Sequence, residues 1–161
     1  MALRQIREAG DDILRKKSRT VEKIDERIIE ILEDMHETLK KSDDGIGLAA
    51  PQVGILKRLV VIDLTIEDGE IYKLINPVIV KSKGEQICRE GCLSVPGVLG
   101  DVIRPKEVVV EALNEKGEKI KIKAKDLLAV VLCHEIDHLD GVLFIDKATE
   151  IFENTSEEED W

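Results

Sequence analysis

Aromatic side chains are nearly missing from this chain: one Trp, one Tyr and two Phe among 161 residues. Ile, Val and Leu must therefore fill the interior, and this length allows one domain with a sizeable core. No apolar run approaches the ~18 residues needed to cross a bilayer. The opening Met-Ala-Leu-Arg-Gln-Ile-Arg leads straight into charged sequence. It lacks the apolar centre of a secretory signal, which predicts a cytoplasmic protein with no membrane partner. Cysteine is scarce and odd in number: Cys88, Cys92 and Cys133. Such a set does not make a disulfide framework in a reducing compartment, and at least one thiol stays free to ligate a metal.

Positive charge is in deficit. A net charge of -10 argues against nucleic acid as the main partner and predicts no direct nucleic-acid specificity. The imbalance is uneven, because residues 150–161 hold six acidic groups and no basic ones, leaving -4 on the rest. Bulk charge is thus a poor guide to an active site. The pattern predicts a single catalytic domain over 1–148 and an acidic, partly disordered tail over 149–161.

Asp25 is positioned to cap a helix running to about Lys41. Ile28, Ile31, Leu32, Met35 and Leu39 give it an apolar face; Glu26, Glu30, Glu33, Asp34 and Glu37 load the other positions, and His36 is expected to face solvent. Arg58–Asp63 reads as a strand. Ile71–Ile75 is a second, stopped by Asn76-Pro77, with Val78–Val80 a short third. Val108–Leu113 and Lys119–Lys123 flank Asn114-Glu115-Lys116-Gly117 as a hairpin. A helix then runs from about Lys125 to Leu139, ended by Asp140-Gly141, and Val142–Ile145 is a short strand or coil. The expected fold class is α+β: antiparallel strands packed around a buried C-terminal helix.

That last helix carries His134-Glu135-Ile136-Asp137-His138. Residues four apart share a helix face, so both imidazoles can reach one metal ion, with Glu135 close enough to handle protons at it. The pattern predicts metal-assisted hydrolysis of an amide bond. Two imidazoles need at least one further ligand. The candidates are Cys92, Cys88, Cys133 and the carboxylates. Cys133 projects about 100° away around the helix and suits a core position. Cys92, between Gly91 and Leu93 in a polar segment, suits an exposed thiolate. Gly45-Ile46-Gly47-Leu48-Ala49-Ala50-Pro51-Gln52-Val53-Gly54 is the other unusual stretch. Its glycines allow close backbone approach to a ligand, and its spacing is not that of a phosphate loop.

The segments Gly45-Ile46-Gly47-Leu48-Ala49-Ala50-Pro51-Gln52, Glu90-Gly91-Cys92-Leu93-Ser94 and His134-Glu135-Ile136-Asp137-His138-Leu139 occur in that order. In this the chain resembles the peptide deformylase family. The resemblance covers nearly the whole sequence apart from the acidic tail. It implies removal of the formyl group from N-terminal formyl-methionine of nascent chains. It puts the metal on Cys92, His134 and His138, and the acid/base on Glu135. It puts oxyanion stabilisation on the Gln52 side chain and the Leu93 backbone N–H, and substrate-backbone contact at Gly45 and Gly47. The implied methionine pocket is Ile46, Cys88, Glu90, Leu127, Val130 and Val131. One divalent ion is implied, Fe(II) natively, with Zn, Ni or Co able to replace it. N-formyl-methionyl peptides are the implied partners, with a transient ribosome contact. Leu99 stands where some bacterial members carry an arginine near the substrate. From the residues alone, a zinc peptidase and a noncatalytic metal-stabilised interaction protein remain the alternatives.

Overall fold

In the computed structural model, which describes residues 2–42 and 45–153, the Asp25 carboxylate accepts the Ile28 N–H at 3.1 Å and starts helix α1 (Glu26–Lys41). The chain then runs through β1 (Gly47–Ala49), β2 (Leu59–Asp63), β3 (Ile71–Lys83), β4 (Gln86–Cys92) and β5 (Val95–Arg104). Next come β6 (Glu107–Leu113), β7 (Lys119–Lys125), α2 (Asp126–Leu139), α3 (Phe144–Lys147) and β8 (Ala148–Glu153). Strands β1-β2-β3-β6-β7 form one antiparallel sheet, and β4-β5-β8 form a second.

The larger sheet lies between two helices. Ile28, Ile31, Leu32, Met35 and Leu39 of α1 pack on Leu59, Val61 and Ile75. On the opposite face, α2 packs through Ala129, Leu132, Cys133 and Ile136 on Val60, Ile62, Leu74, Val108 and Val110. This explains why β2 reads as a continuous apolar run: Leu59, Val60, Val61 and Ile62 are all fully buried, two on each face. Truncating any of these large core side chains to Ala should cost about 2–5 kcal/mol. A third cluster, around Leu14, Val102, Leu143 and Phe144, joins the smaller sheet to the chain after α2.

The expectation of antiparallel strands packed around a buried C-terminal helix that carries the His134–His138 motif is corrected by the structure. The fold is α+β with antiparallel sheets, but α2 is followed by α3 and β8. The metal-ligating set is split between strand β4 and helix α2, not contained in one contiguous helical motif. Only the packing of two separate sheets could bring these elements together.

Other local expectations also change. Ile71–Val80 is part of one long strand, not two. Asn76-Pro77 makes a bulge, with a register shift between Ile75 and Val78 and Asn76 at φ 54°. Proline has no ladder donor, so a bulge is where a strand tolerates it. The Asn76 amide holds the bulge by bonding both the N–H and the carbonyl of Val21, at 2.8 and 2.9 Å. Of Val142–Ile145, Val142 and Leu143 are coil, while Phe144 and Ile145 begin helix α3. Asp34 lies on the buried side of α1, where Arg4 holds it with two hydrogen bonds. His36 is not solvent-facing: its Nε2 lies 2.8 Å from Asp63 Oδ2 and the side chain is 13% exposed. Residues 149–153, assigned to the tail from sequence, belong to β8; the rest of the expected tail lies outside the described residues. Among those residues no helix is long and apolar enough to cross a membrane.

Candidate metal centre

Helix α2 is apolar on nearly every side and is buried from Ala129 to Ile136. A buried imidazole needs polar partners; His134 has one at Nδ1, whereas His138 Nδ1 has none among the described residues. His134 and His138 lie one turn apart, with ring centroids separated by 5.1 Å. His134 Nδ1 is 2.8 Å from Glu90 Oε1. A carboxylate there fixes the ring's tautomer and leaves Nε2 as the free lone pair. Cys92, the last residue of β4, brings its Sγ to 3.3 Å from His138 Nε2. The ligand atoms of Cys92, His134 and His138 all lie within 4.8 Å of one another. A thiolate and two neutral imidazoles at that separation suit one divalent ion with an open coordination position. Phe144, one of the few aromatics, stacks beside the His134 ring at 6.0 Å and makes the surroundings apolar.

Glu90 is held in turn by Arg104. The guanidinium donates to both Glu90 oxygens, at 2.7 and 2.8 Å, and to Asp137 Oδ2 at 2.7 Å. Lys147 Nζ donates to the other Asp137 oxygen at 3.2 Å. Burial alone would push the Glu90 carboxyl up, but Arg104 and His134 outweigh it and hold the group ionised. Burial likewise opposes protonation of His134, yet Glu135, Cys92 and Glu90 pull its pKa well above the ordinary imidazole value. Burial and the neighbouring His134 push His138 well below it.

Glu135 is buried, and its Oε1 has no hydrogen-bond partner among the described residues. Oε2 lies 4.0 Å from His134 Nε2. Burial pushes its carboxyl up to about 7, with His134 partly offsetting the rise. A carboxyl tuned near neutrality can both take and return a proton at working pH. Gly47 leaves it room: a Cβ on Gly47 would stand 2.5 Å from Glu135 Oε2. Gly45 is tight for a different reason, because a Cβ there would meet Ser42, Leu93 and Leu39 below 3.0 Å.

The Gln52 amide is fully buried and firmly oriented. Its Oε1 accepts the Ala49 N–H at 2.9 Å, so Nε2 must point the other way. Nε2 donates to Ser94 Oγ at 3.0 Å and approaches Cys92 Sγ at 3.5 Å. A cavity of about 690 Å³ opens beside the centre. Gly45, Ile46, Gly47, Cys92 and Leu93 form one part of its wall, with His134 and Glu135 at its base. Cys88, Glu90, Leu127, Val130 and Val131 line it as well, as does Leu99. Glu90 therefore borders the cavity while its carboxylate is spent on His134 and Arg104. Gln52 and His138 are not among its lining residues; Gln52 Nε2 approaches Cys92 Sγ at 3.5 Å, and His138 Nε2 stands beside the same sulfur as a ligand in its own right.

Residues 3–153 match the Polypeptide deformylase family. This chain belongs to that family. A peptide deformylase of Acetivibrio thermocellus is 64% identical over 147 residues, covering 91% of this chain and 84% of that protein. The crystal structure of the Thermotoga maritima peptide deformylase superposes with a TM-score of 0.88 at 38% identity, covering 93% of this chain and 100% of that one. The peptide deformylase of Synechococcus elongatus, solved in complex with actinonin, gives 0.86 at 42% identity, covering 91% and 79%.

Reasoning from sequence missed the Glu90 carboxylate as the partner of His134, and with it the part played by Arg104 and Asp137. It also missed Ser94, which is fully buried and orients Gln52. The available signal was strand periodicity over Gln86–Cys92, which puts Cys88, Glu90 and Cys92 on one face. Its charged residues hid it.

Proposed function

We propose that this chain is a metal-dependent hydrolase that removes the formyl group from the N-terminal formyl-methionine of nascent polypeptides. One observation carries the reading: a thiol and two imidazoles converge beside a buried carboxylate at the base of an open cavity. A structural metal site needs no such acid. A divalent ion held by Cys92, His134 and His138 would acidify water and polarise the formyl oxygen. Fe(II) is the native ion in this reading, with Zn, Ni or Co as replacements. The cytoplasm, where formylated chains are made, is the expected compartment.

Glu135 acts as the proton carrier. It takes a proton from the attacking water and delivers it to the departing amine nitrogen, so that one water and one amide become formate and a free N-terminus. Its partnerless Oε1 and its raised pKa support this role. The Gln52 amide and the Leu93 N–H are assigned to the developing oxyanion. Support for Gln52 comes from its fixed orientation toward Cys92. Among the described residues β1 and β4 are edge strands of their sheets, and both contribute to the cavity lining. Such edges suit an extended peptide backbone, and Gly45 and Gly47 let it approach. Ile46, Cys88, Leu127, Val130 and Val131 supply an apolar wall for the methionine side chain. One methylene in such a pocket discriminates by only ~1–3 kcal/mol, so side-chain preference should be graded. Glu90 serves this reading as the support of His134.

Anaerobically purified protein, analysed for metal, should release formate from a formyl-Met peptide and leave the unformylated peptide intact. Cleavage of an internal peptide bond without formate release would replace this reading with a peptidase.

A further inference from the structure

The chain before α1 touches the metal centre at two backbone positions. The Arg7 N–H donates to the Gln52 carbonyl at 2.7 Å, and the Ala9 N–H donates to the Ser94 carbonyl at 2.7 Å. Gln52 and Ser94, 42 residues apart in the chain, also bond each other directly, Nε2 to Oγ at 3.0 Å. Gln52 lies in a short 3-10 turn over Ala50–Val53, and Ser94 lies in the turn that joins β4 to β5. The two turns are therefore linked twice: once by buried side chains and once through Arg7, Glu8 and Ala9. The links close a ring around the Gln52 amide, whose Nε2 approaches Cys92 Sγ at 3.5 Å. The arm is anchored on α1. The Arg4 N–H donates to Thr38 Oγ1 at 2.9 Å, and the Arg4 guanidinium gives Asp34 Oδ2 two hydrogen bonds, at 3.0 and 2.8 Å. The Ala2 N–H donates to Asp34 Oδ1 at 2.7 Å. Asp34 is 1% exposed, so a buried carboxylate of α1 holds this arm. At the arm's other end Gly10, at φ 105°, turns the chain, and the Asp11 N–H donates to the Glu8 carbonyl at 3.0 Å. Leu14 then enters the third core cluster.

We propose that residues 4–9 are a positioning strap for the Gln52 amide, with the Ala9 N–H as its key contact and the Arg4–Asp34 pair as its anchor. The proposal rests on the reading that this amide stabilises the developing oxyanion. Such a donor works because it is already in place when charge develops. The Ala49 N–H sets the direction of the Gln52 amide by holding its Oε1. It does not set how far the amide stands from the β4–β5 turn that carries Cys92, Leu93 and Ser94. Neither turn is held by a strand ladder at Gln52 or Ser94, and the strap supplies a partner for each backbone carbonyl. By spanning both turns it fixes the spacing between the two groups assigned to the oxyanion, the Gln52 amide and the Leu93 N–H. A strap that only satisfied two carbonyls would change stability alone. A strap that positions the amide is read in turnover and in the motion of the amide itself.

The test is a backbone edit, Ala9→Pro, which removes the N–H that Ser94 accepts. The turn suits it: with Gly10 at positive φ in the third position, proline is favoured in the second. The Ala9 side chain is exposed, so Ala9→Ser keeps the donor and serves as the conservative control. Metal-loaded Ala9→Pro acting on a formyl-Met peptide should lose about 10-fold in kcat with little change in KM, less than the about 10²–10³-fold that outright loss of an oxyanion donor costs. Ala9→Ser should match the parent. Arg4→Met frees the anchor without touching the turn; it should lower kcat in the same way, and it carries the test if the proline variant does not fold. In a Gln52→Leu background Ala9→Pro should add less than about 2-fold, because the strap then has no amide to place. A merely structural weakening would cost the same in both backgrounds. In metal-free protein, hydrogen exchange at Gln52 Nε2, followed by NMR, should quicken about 10-fold in Ala9→Pro. Parental kcat in both Ala9→Pro and Arg4→Met, parental exchange at the Gln52 amide, or equal losses in the two backgrounds would each overturn the proposal. A parent that releases no formate would instead count against the deformylase reading, while the exchange measurement would still decide the strap.

Discussion

Glu90 Oε1 lies 2.8 Å from His134 Nδ1, and the same carboxylate accepts two hydrogen bonds from a buried arginine, from its Nε and Nη2. An anionic partner on the far side of a ligand imidazole fixes its orientation and raises its basicity. Glu90→Gln keeps the shape and removes the charge. It is expected to weaken metal binding by about 10–100-fold, read by competition with a chelator. Parent-like affinity would show that Glu90 only fills space.

Arg104 joins Glu90 to Asp137 and is itself 2% exposed. Arg104→Met would leave Glu90 buried and ionised without its cation. Breaking a buried pair from one side costs about 3–5 kcal/mol. Urea unfolding of the metal-free protein measures this without interference from the ion. The double variant Arg104→Met/Glu90→Gln should recover part of the loss.

Gly47 is set by sterics. Gly47→Ala would drive a methyl against Glu135 Oε2, which a Cβ would meet at 2.5 Å. Misplacing a proton carrier by an ångström can cost about 100-fold in turnover. The expected result is a kcat loss of that order with metal content unchanged. Glu135→Gln, which keeps the space and removes the base, should lose at least as much. If Gly47→Ala retained full turnover, the carboxylate would have to work from another position.

Asp63 offers a pH-dependent test outside the site. Burial pushes its carboxyl up, but hydrogen bonds from Thr65 and His36 outweigh that and bring it from 3.8 to about 2. A carboxyl with a lower pKa in the folded chain stabilises above its unfolded value, and the contribution fades as pH falls through the folded one. Asp63→Asn should therefore cost on the order of 1 kcal/mol at neutral pH after allowance for solvent screening. The gap to the parent should close between pH ~4 and ~2. Urea melts over that range check it, and a gap independent of pH would contradict the assignment.

Much of this molecule could be anticipated wherever the cause is local. Capping of α1 by Asp25 follows from three neighbouring residues. The β6–β7 hairpin follows from a glycine turn between alternating arms. Asp34 and His36 could not be judged that way, because their partners Arg4 and Asp63 are distant in the chain. The Asn76-Pro77 bulge looked like a strand end for the same reason: the Val21 backbone that satisfies it lies 55 residues away.

By itself the sequence determined that two imidazoles and a carboxyl would share a helix turn, because helical pitch sets that geometry from spacing alone. It determined family membership through the order of its motifs. The tertiary structure alone decided that a thiol from another sheet would stand 3.3 Å from one of those rings, that Glu90 would grip the other, and that the arm before α1 would join Gln52 to Ser94. Those contacts depend on sheet register and on how the layers pack, which no local stretch of residues encodes.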